Sequence, residues 1–186
     1  MHMINKPHIW YAIDIPGTPF PREIHLADGT HLRFVPDPRT KDRALYVTED
    51  GRINGEHAGY VMCNDELTYK PAGTTHTPNT KGYNGRRKQR YYRMWDVFGH
   101  HQGIQVHTAV LLAWSGSQPM DEHGKPFECH HLNGITTDNH VSNLIWLSHE
   151  DHLRFDKALH DGHIFHRDNL SFDARMERDM SHHVEH

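Results

Sequence analysis

The sequence predicts an α+β protein, with a C-terminal strand–turn–strand–helix unit behind an N-terminal region of short strands. Three observations carry that expectation. Six prolines (Pro7, Pro16, Pro19, Pro21, Pro36 and Pro38) fall within residues 1–43, and proline fixes φ and removes a donor, which disfavours long helices. The segment "IQVHTAVLLAW" (104–114) is a compact apolar run suited to a short helix from about 107 to 114. Two short strand-like runs, "ECHH" and the apolar "NLIWLS", flank a loop containing Asn133 and Gly134, and a helix-patterned stretch follows them from 149 to about 159.

The elements follow in order. Residues 9–15 and 31–35 read as short strands, and "ADGT" (27–30) reads as the hairpin turn joining 24–26 to 31–35. "ALYVTEDGRI" (44–53) gives a further strand and an Asp-Gly turn. Residues 70–85 are rich in Pro, Gly, Thr and Asn, which is loop composition. "GRRKQRYYRMWDVF" (85–98) starts basic and becomes aromatic; it reads as a strand, followed by a tight loop at 99–103, a short strand and the helix. Ser148 is the expected cap of the last helix, with Asp151 three residues on as a variant capping box. Residues 171–180 have the composition of one more helix in a polar tail.

Length and charge narrow the function. The chain has 186 residues, with 35% apolar residues and a net charge of -4. That suits one domain with an attachment rather than several, and it excludes a uniformly basic nucleic-acid coat but not a local basic patch. No run of about 18 apolar residues exists, which argues against a membrane span. The N-terminus lacks a basic stretch before an apolar one, which argues against a signal peptide. Two cysteines are too few for a disulfide scaffold. A cytoplasmic location is the simplest expectation.

Histidine is the outlier, at 21 residues, and it is the commonest metal ligand and general base near neutral pH. Most histidines must be bystanders. His100-His101 and His182-His183 read as solvated loop and tail. The informative segment is "ECHHLNGITTDNHVSNLIWLSHEDHLRF" (128–155). Adjacent strand residues face opposite ways, so one of His130 and His131 can hold a metal while the other faces a substrate. A ligand from the following helix would complete a partial, open coordination shell.

This segment resembles the ββα-metal motif of the HNH endonucleases, in the homing or phage-type branch. The match lies in "HHLNGITTDNHVSNLIWL" plus His152. "YYRMWDVF" and "GIQVHTAVLLAW" resemble the strand, turn and helix that precede the motif in that family, and "YVTEDGRI" faintly resembles an element often fused N-terminal to it. The resemblance is good over 91–155, weak over 44–90 and absent from 1–43.

The resemblance implies an α+β fold with a C-terminal ββα-metal (HNH) nuclease core in residues 86–160. Residues 1–85 would be a β-rich DNA-binding or dimer element, and 161–186 a polar extension. It implies a metal-dependent endonuclease that hydrolyses phosphodiester bonds, with a catalytically degenerate metal- and DNA-binding module as the alternative. His131 would be the general base, and Asn143 would hold the two halves of the motif together. His130 and His152 would ligate one divalent metal ion. Two imidazoles favour Zn²⁺, Mn²⁺ or Ni²⁺, and Mg²⁺ stays open. The partner would be DNA, with RNA and a homodimer open and no membrane, in a nucleoid-associated or phage-encoded protein. The family often has Asp at position 130, Asn at 152 and Arg at 108, where this chain has His130, His152 and Thr108.

Other residues carry two readings. His149, one turn before His152, is a candidate third ligand or a solvated helix-start histidine, and Asp156 has the same status. His107 is a candidate phosphate contact or a packing residue. Arg86, Arg87, Lys88, Arg90 and Arg93, with tyrosines interleaved, form a candidate DNA-tracking strand whose contribution should fall with salt. Cys129 reads as a buried structural thiol. Leu111, Leu112, Trp114, Leu144 and Trp146 read as core.

Overall fold

The computed structural model describes residues 7–37, 43–74, 90–95 and 101–162. The mixed α+β class is as expected. The N-terminal region forms a seven-stranded sheet from β1 (Ile9–Asp14), β2 (Pro21–Leu26), β3 (His31–Phe34), β4 (Ala44–Val47), β5 (Arg52–Ile53), β6 (Glu56–Cys63) and β7 (Glu66–Pro71). The strand order is β1-β2-β3-β4-β6-β5, with β7 also paired to β6.

Local turn chemistry explains most of this meander. Gly29 takes φ +89° in the β2–β3 turn, where Asp28 Oδ1 accepts from the Thr30 amide at 2.9 Å. Asn54 (φ 50°) and Gly55 (φ 80°) close β5 onto β6, with Ile53 opposite Glu56. Asn64 (φ 49°) and Asp65 (φ 60°) close β6 onto β7, with Cys63 opposite Glu66. Two residues at positive φ are what a twisted two-residue hairpin needs. The strands over 56–69 go beyond what the sequence signals predict. Their one strong signal, Asn54-Gly55, stands at the near end, and the far turn has no glycine to mark it.

The C-terminal region follows the expected order, but residues 73–74 and 101–103, expected as loop, are strand because they pair with residues 90–95. β8 (Gly73–Thr74), β9 (Arg90–Trp95) and β10 (His101–Gln105) form a three-stranded sheet, and α1 (Val106–Trp114) leaves β10 directly. β11 (Glu128–His131) pairs antiparallel with β12 (Leu144–Leu147), and α2 (His149–His160) follows. Ser148 caps α2: the Asp151 amide donates to Ser148 Oγ at 3.1 Å, and that hydroxyl donates to Asp151 Oδ2 at 2.8 Å. α2 buries Phe155 completely while Leu153 stays 56% exposed, so Phe155 sets its packed face.

The packing ties these parts together. Val35, Leu45 and Val47 of the N-terminal region share one buried cluster with Val106, Ala109, Val110 and Leu111 of α1 and with Leu144 of β12; Leu112, Trp114 and Trp146 pack against it partly buried. A smaller cluster, Leu132, Leu147 and Phe155, seats α2 on the β11–β12 hairpin. Among the described residues, no helix is long and apolar enough to cross a membrane. Arg86, Arg87, Lys88 and the expected 171–180 helix lie outside the described residues. Arg90 and Arg93 are placed on β9.

Candidate functional site

The β11–β12 hairpin and α2 converge on one group of side chains. His130 is buried on β11, at 4% exposure. Its ring meets that of His152, on α2, edge to face at a centroid distance of 4.8 Å. One turn further along α2, Asp156 places Oδ1 3.7 Å from His130 Nδ1. Potential ligand atoms of His130, His152 and Asp156 all lie within 4.8 Å of one another. Two imidazoles and a carboxylate are a donor set that suits borderline divalent ions, with room left for water or substrate oxygens.

Glu128 completes the rim of this group. It lies two residues before His130, hence on the same face of β11. Its Oε2 is 3.1 Å from His152 Nδ1, and its Oε1 is 2.9 Å from His149 Nδ1. Glu128 thus sets a carboxylate beside both His149 and His152 at the edge of the group. The sequence analysis held His149 and Asp156 equally as third ligands. The geometry separates them: Asp156 joins the ligand group, whereas His149 is 69% exposed and engages Glu128.

His131 faces the other way and is also buried. Its Nε2 lies 2.9 Å from Asn139 Oδ1. An amide oxygen only accepts, so the ring donates to it from Nε2. Its ring stands edge to face against His107 at 5.1 Å. His107 in turn donates from Nε2 to Gln105 Oε1 at 2.8 Å. Burial, then the neighbouring His131 and His152, push the His107 pKa down to about 3. His107 is therefore a neutral floor beneath His131 and brings no positive charge for a phosphate.

Asn143 ends a short 3-10 turn (Val141–Asn143) and stitches the intervening loop. Its Oδ1 accepts from the Asn133 amide at 3.0 Å, and its Nδ2 donates to the Asp138 carbonyl at 2.8 Å and to Asn133 Oδ1 at 2.9 Å. Gly134, at φ 71°, lets the chain turn so that its amide reaches the His131 carbonyl at 3.0 Å. The N-terminal sheet braces the same loop. Arg52 Nη2 donates to the Thr137 carbonyl at 3.3 Å, and the Val141 amide donates to the Glu49 carbonyl at 2.8 Å.

These side chains open onto a cleft of about 1410 Å³, lined among others by His107, His131, His152 and Asp156. That exceeds the roughly 300–1,000 Å³ of a small-molecule pocket. Lys125 is the one Lys or Arg among the described residues lining it. Burial pushes the Cys129 thiol up, which keeps it protonated and makes it a poor nucleophile.

Sequence reasoning missed Glu128, Asn139 and Lys125. Glu128 was accessible through the strand period, two residues from His130. Asn139 was masked by the other polar residues of its loop, and Lys125 by the loop composition of the stretch just ahead of the motif.

No family model, curated protein or solved structure matches the chain. The site therefore rests on its own geometry.

Proposed function

We propose that the chain is a metal-dependent HNH-type endonuclease that hydrolyses nucleic-acid phosphodiester bonds, DNA first. The observation that carries this reading is the opposed placement of two adjacent histidines. His130 points to a ligand group with His152 and Asp156, while His131 is oriented separately by Asn139. The order of elements, β11–β12–α2, matches what the sequence resemblance implies.

His131 would take the proton of the attacking water on Nδ1, with Asn139 fixing the tautomer. Glu128 would orient His152, and Asn143 would hold the loop that keeps the two histidines in register. A divalent ion held by His130, His152 and Asp156 would neutralise the scissile phosphate and the departing 3′ oxygen. Lys125 and the basic 86–93 stretch are the candidate phosphate contacts. The resemblance implies 5′-phosphate and 3′-hydroxyl products.

The test is cleavage of supercoiled plasmid with Mg²⁺, Mn²⁺, Zn²⁺ or Ni²⁺, comparing wild type with His131→Ala. Metal-dependent nicking or linearisation that the substitution abolishes supports the reading. Binding without cutting on DNA and RNA alike would reduce the site to a binding module. Activity should also fall as pH drops below about 6, because ligation and base catalysis both need neutral histidines.

A further inference from the structure

The outer face of the β2–β3 hairpin carries a second group with metal-ligand chemistry, distinct from the cleft. Ile24, Leu26 and Leu32 bury the inner face of the hairpin. The strand period then sends Glu23 and His25 to the other face of β2, and His31 and Arg33 to the same face of β3. The register sets His25 directly opposite His31 and Glu23 opposite Arg33.

The side chains there lie close together. Glu23 Oε2 lies 3.0 Å from His31 Nε2 and 3.7 Å from His25 Nε2. A tetrahedral ion with bonds of about 2.0–2.1 Å has ligands about 3.3 Å apart, and the two observed distances straddle that value. The ligand atoms of all three residues lie within 4.8 Å of one another. The His25 ring is sandwiched between Tyr11, at 4.1 Å, and His31, at 4.0 Å, nearly parallel to both, so one imidazole would swing out of the stack for both to aim a lone pair at one ion. His31 is braced edge-on by Trp114 at 4.9 Å.

The arginines act on the other carboxylate oxygen. Arg33 and Arg22 approach Glu23 Oε1 at 3.5 and 3.6 Å. They turn Oε2 toward the imidazoles and leave it as the ligating atom. Burial raises the Glu23 carboxyl, but the His31 hydrogen bond and the charges of Arg33, His31 and Arg22 outweigh it and hold the group below its ordinary value.

We infer that Glu23, His25 and His31 form a second divalent-metal site, of two imidazoles, one carboxylate and an open position, suited to Zn²⁺ rather than Mg²⁺. Binding would release the proton that His31 Nε2 shares with Glu23 Oε2. Through His31 and Arg33, whose guanidinium lies 4.4 Å above the Trp114 ring, the ion would fasten the hairpin to the end of α1. This inference stands whether or not the cleft cuts nucleic acid.

Carbethoxylation of histidines in the full-length wild-type chain tests it. Trypsin cuts after Arg22 and Arg33, so one peptide, residues 23–33, carries His25 and His31 and no other histidine. Zn²⁺ should protect both residues over the same concentration range, Mg²⁺ should protect neither, and His152→Ala should leave the protection intact. Equilibrium dialysis should give one fewer Zn²⁺ per chain for the His25→Gln/His31→Gln double variant, and no change for His123→Gln at an exposed histidine. Equal modification of the peptide with and without saturating Zn²⁺ would overturn the site. If the double variant fails to fold, the wild-type footprint decides alone.

Discussion

His131 Nε2 lies 2.9 Å from Asn139 Oδ1, with both side chains withdrawn from solvent, so a neutral amide rather than a carboxylate orients this imidazole. Asn139→Asp would set an anion against Nε2–H and stabilise the imidazolium. The His131 pKa should rise, and the acid limb of the cleavage pH–rate profile should move up with it. A limb that stays in place would show that His131 is not the base.

Asp156 and Glu128 should separate in metal affinity. The measurement is calorimetry in a chain carrying His25→Gln and His31→Gln, so that the cleft alone is read. Glu128→Gln removes only the residue that orients His152 and should weaken binding by roughly 10–100-fold. Asp156→Asn removes a proposed ligand and should cost more. Equal effects would mean that Asp156 is not in the coordination shell.

Acid should destabilise the fold partly through His107. Its pKa falls from an ordinary 6.5 to about 3 in the native state. Between those values the unfolded chain takes up a proton that the native chain refuses. Stability present above about pH 6.5 is therefore lost as pH falls through that window, at up to about 1.4 kcal/mol per pH unit. His107→Gln should flatten the decline in urea midpoint between neutral pH and about pH 5. Parallel declines would mean that His107 is protonated within the fold.

The cap of α2 should matter to the site as well as to the helix. Ser148→Ala removes the acceptor for the Asp151 amide and should cost about 1 kcal/mol in urea unfolding. Because α2 carries His152 and Asp156, metal affinity in the cleft should fall with it. Unchanged affinity in the variant would show that the hairpin and Phe155 hold α2 without its cap.

Local chemistry made the backbone of the candidate site legible. Asp28-Gly29 marks a turn, Ser148 marks a helix start, and His130 and His131 stand on a short strand before Asn133-Gly134. The β6–β7 hairpin was not legible, because Asn64-Asp65 lacks the glycine that usually flags such a turn. Partners distant in sequence were also hidden. Nothing near Glu23 announces that Trp114 will stand behind His31, since that contact depends on how β3 and α1 meet in the shared core. The 86–88 cluster lies outside the described residues.

The brace beneath the loop that Asn143 stitches bears on how such a chain can be rearranged. A graft of β11, β12 and α2 onto a foreign carrier would leave behind the Glu49 carbonyl that receives the Val141 amide. It would also lose Val35, Leu45 and Val47 from the cluster that holds α1 and Leu144. The C-terminal half is thus no interchangeable cassette. Recombination that moves it must carry the β4–β5 corner along, or rebuild an equivalent corner in the new host.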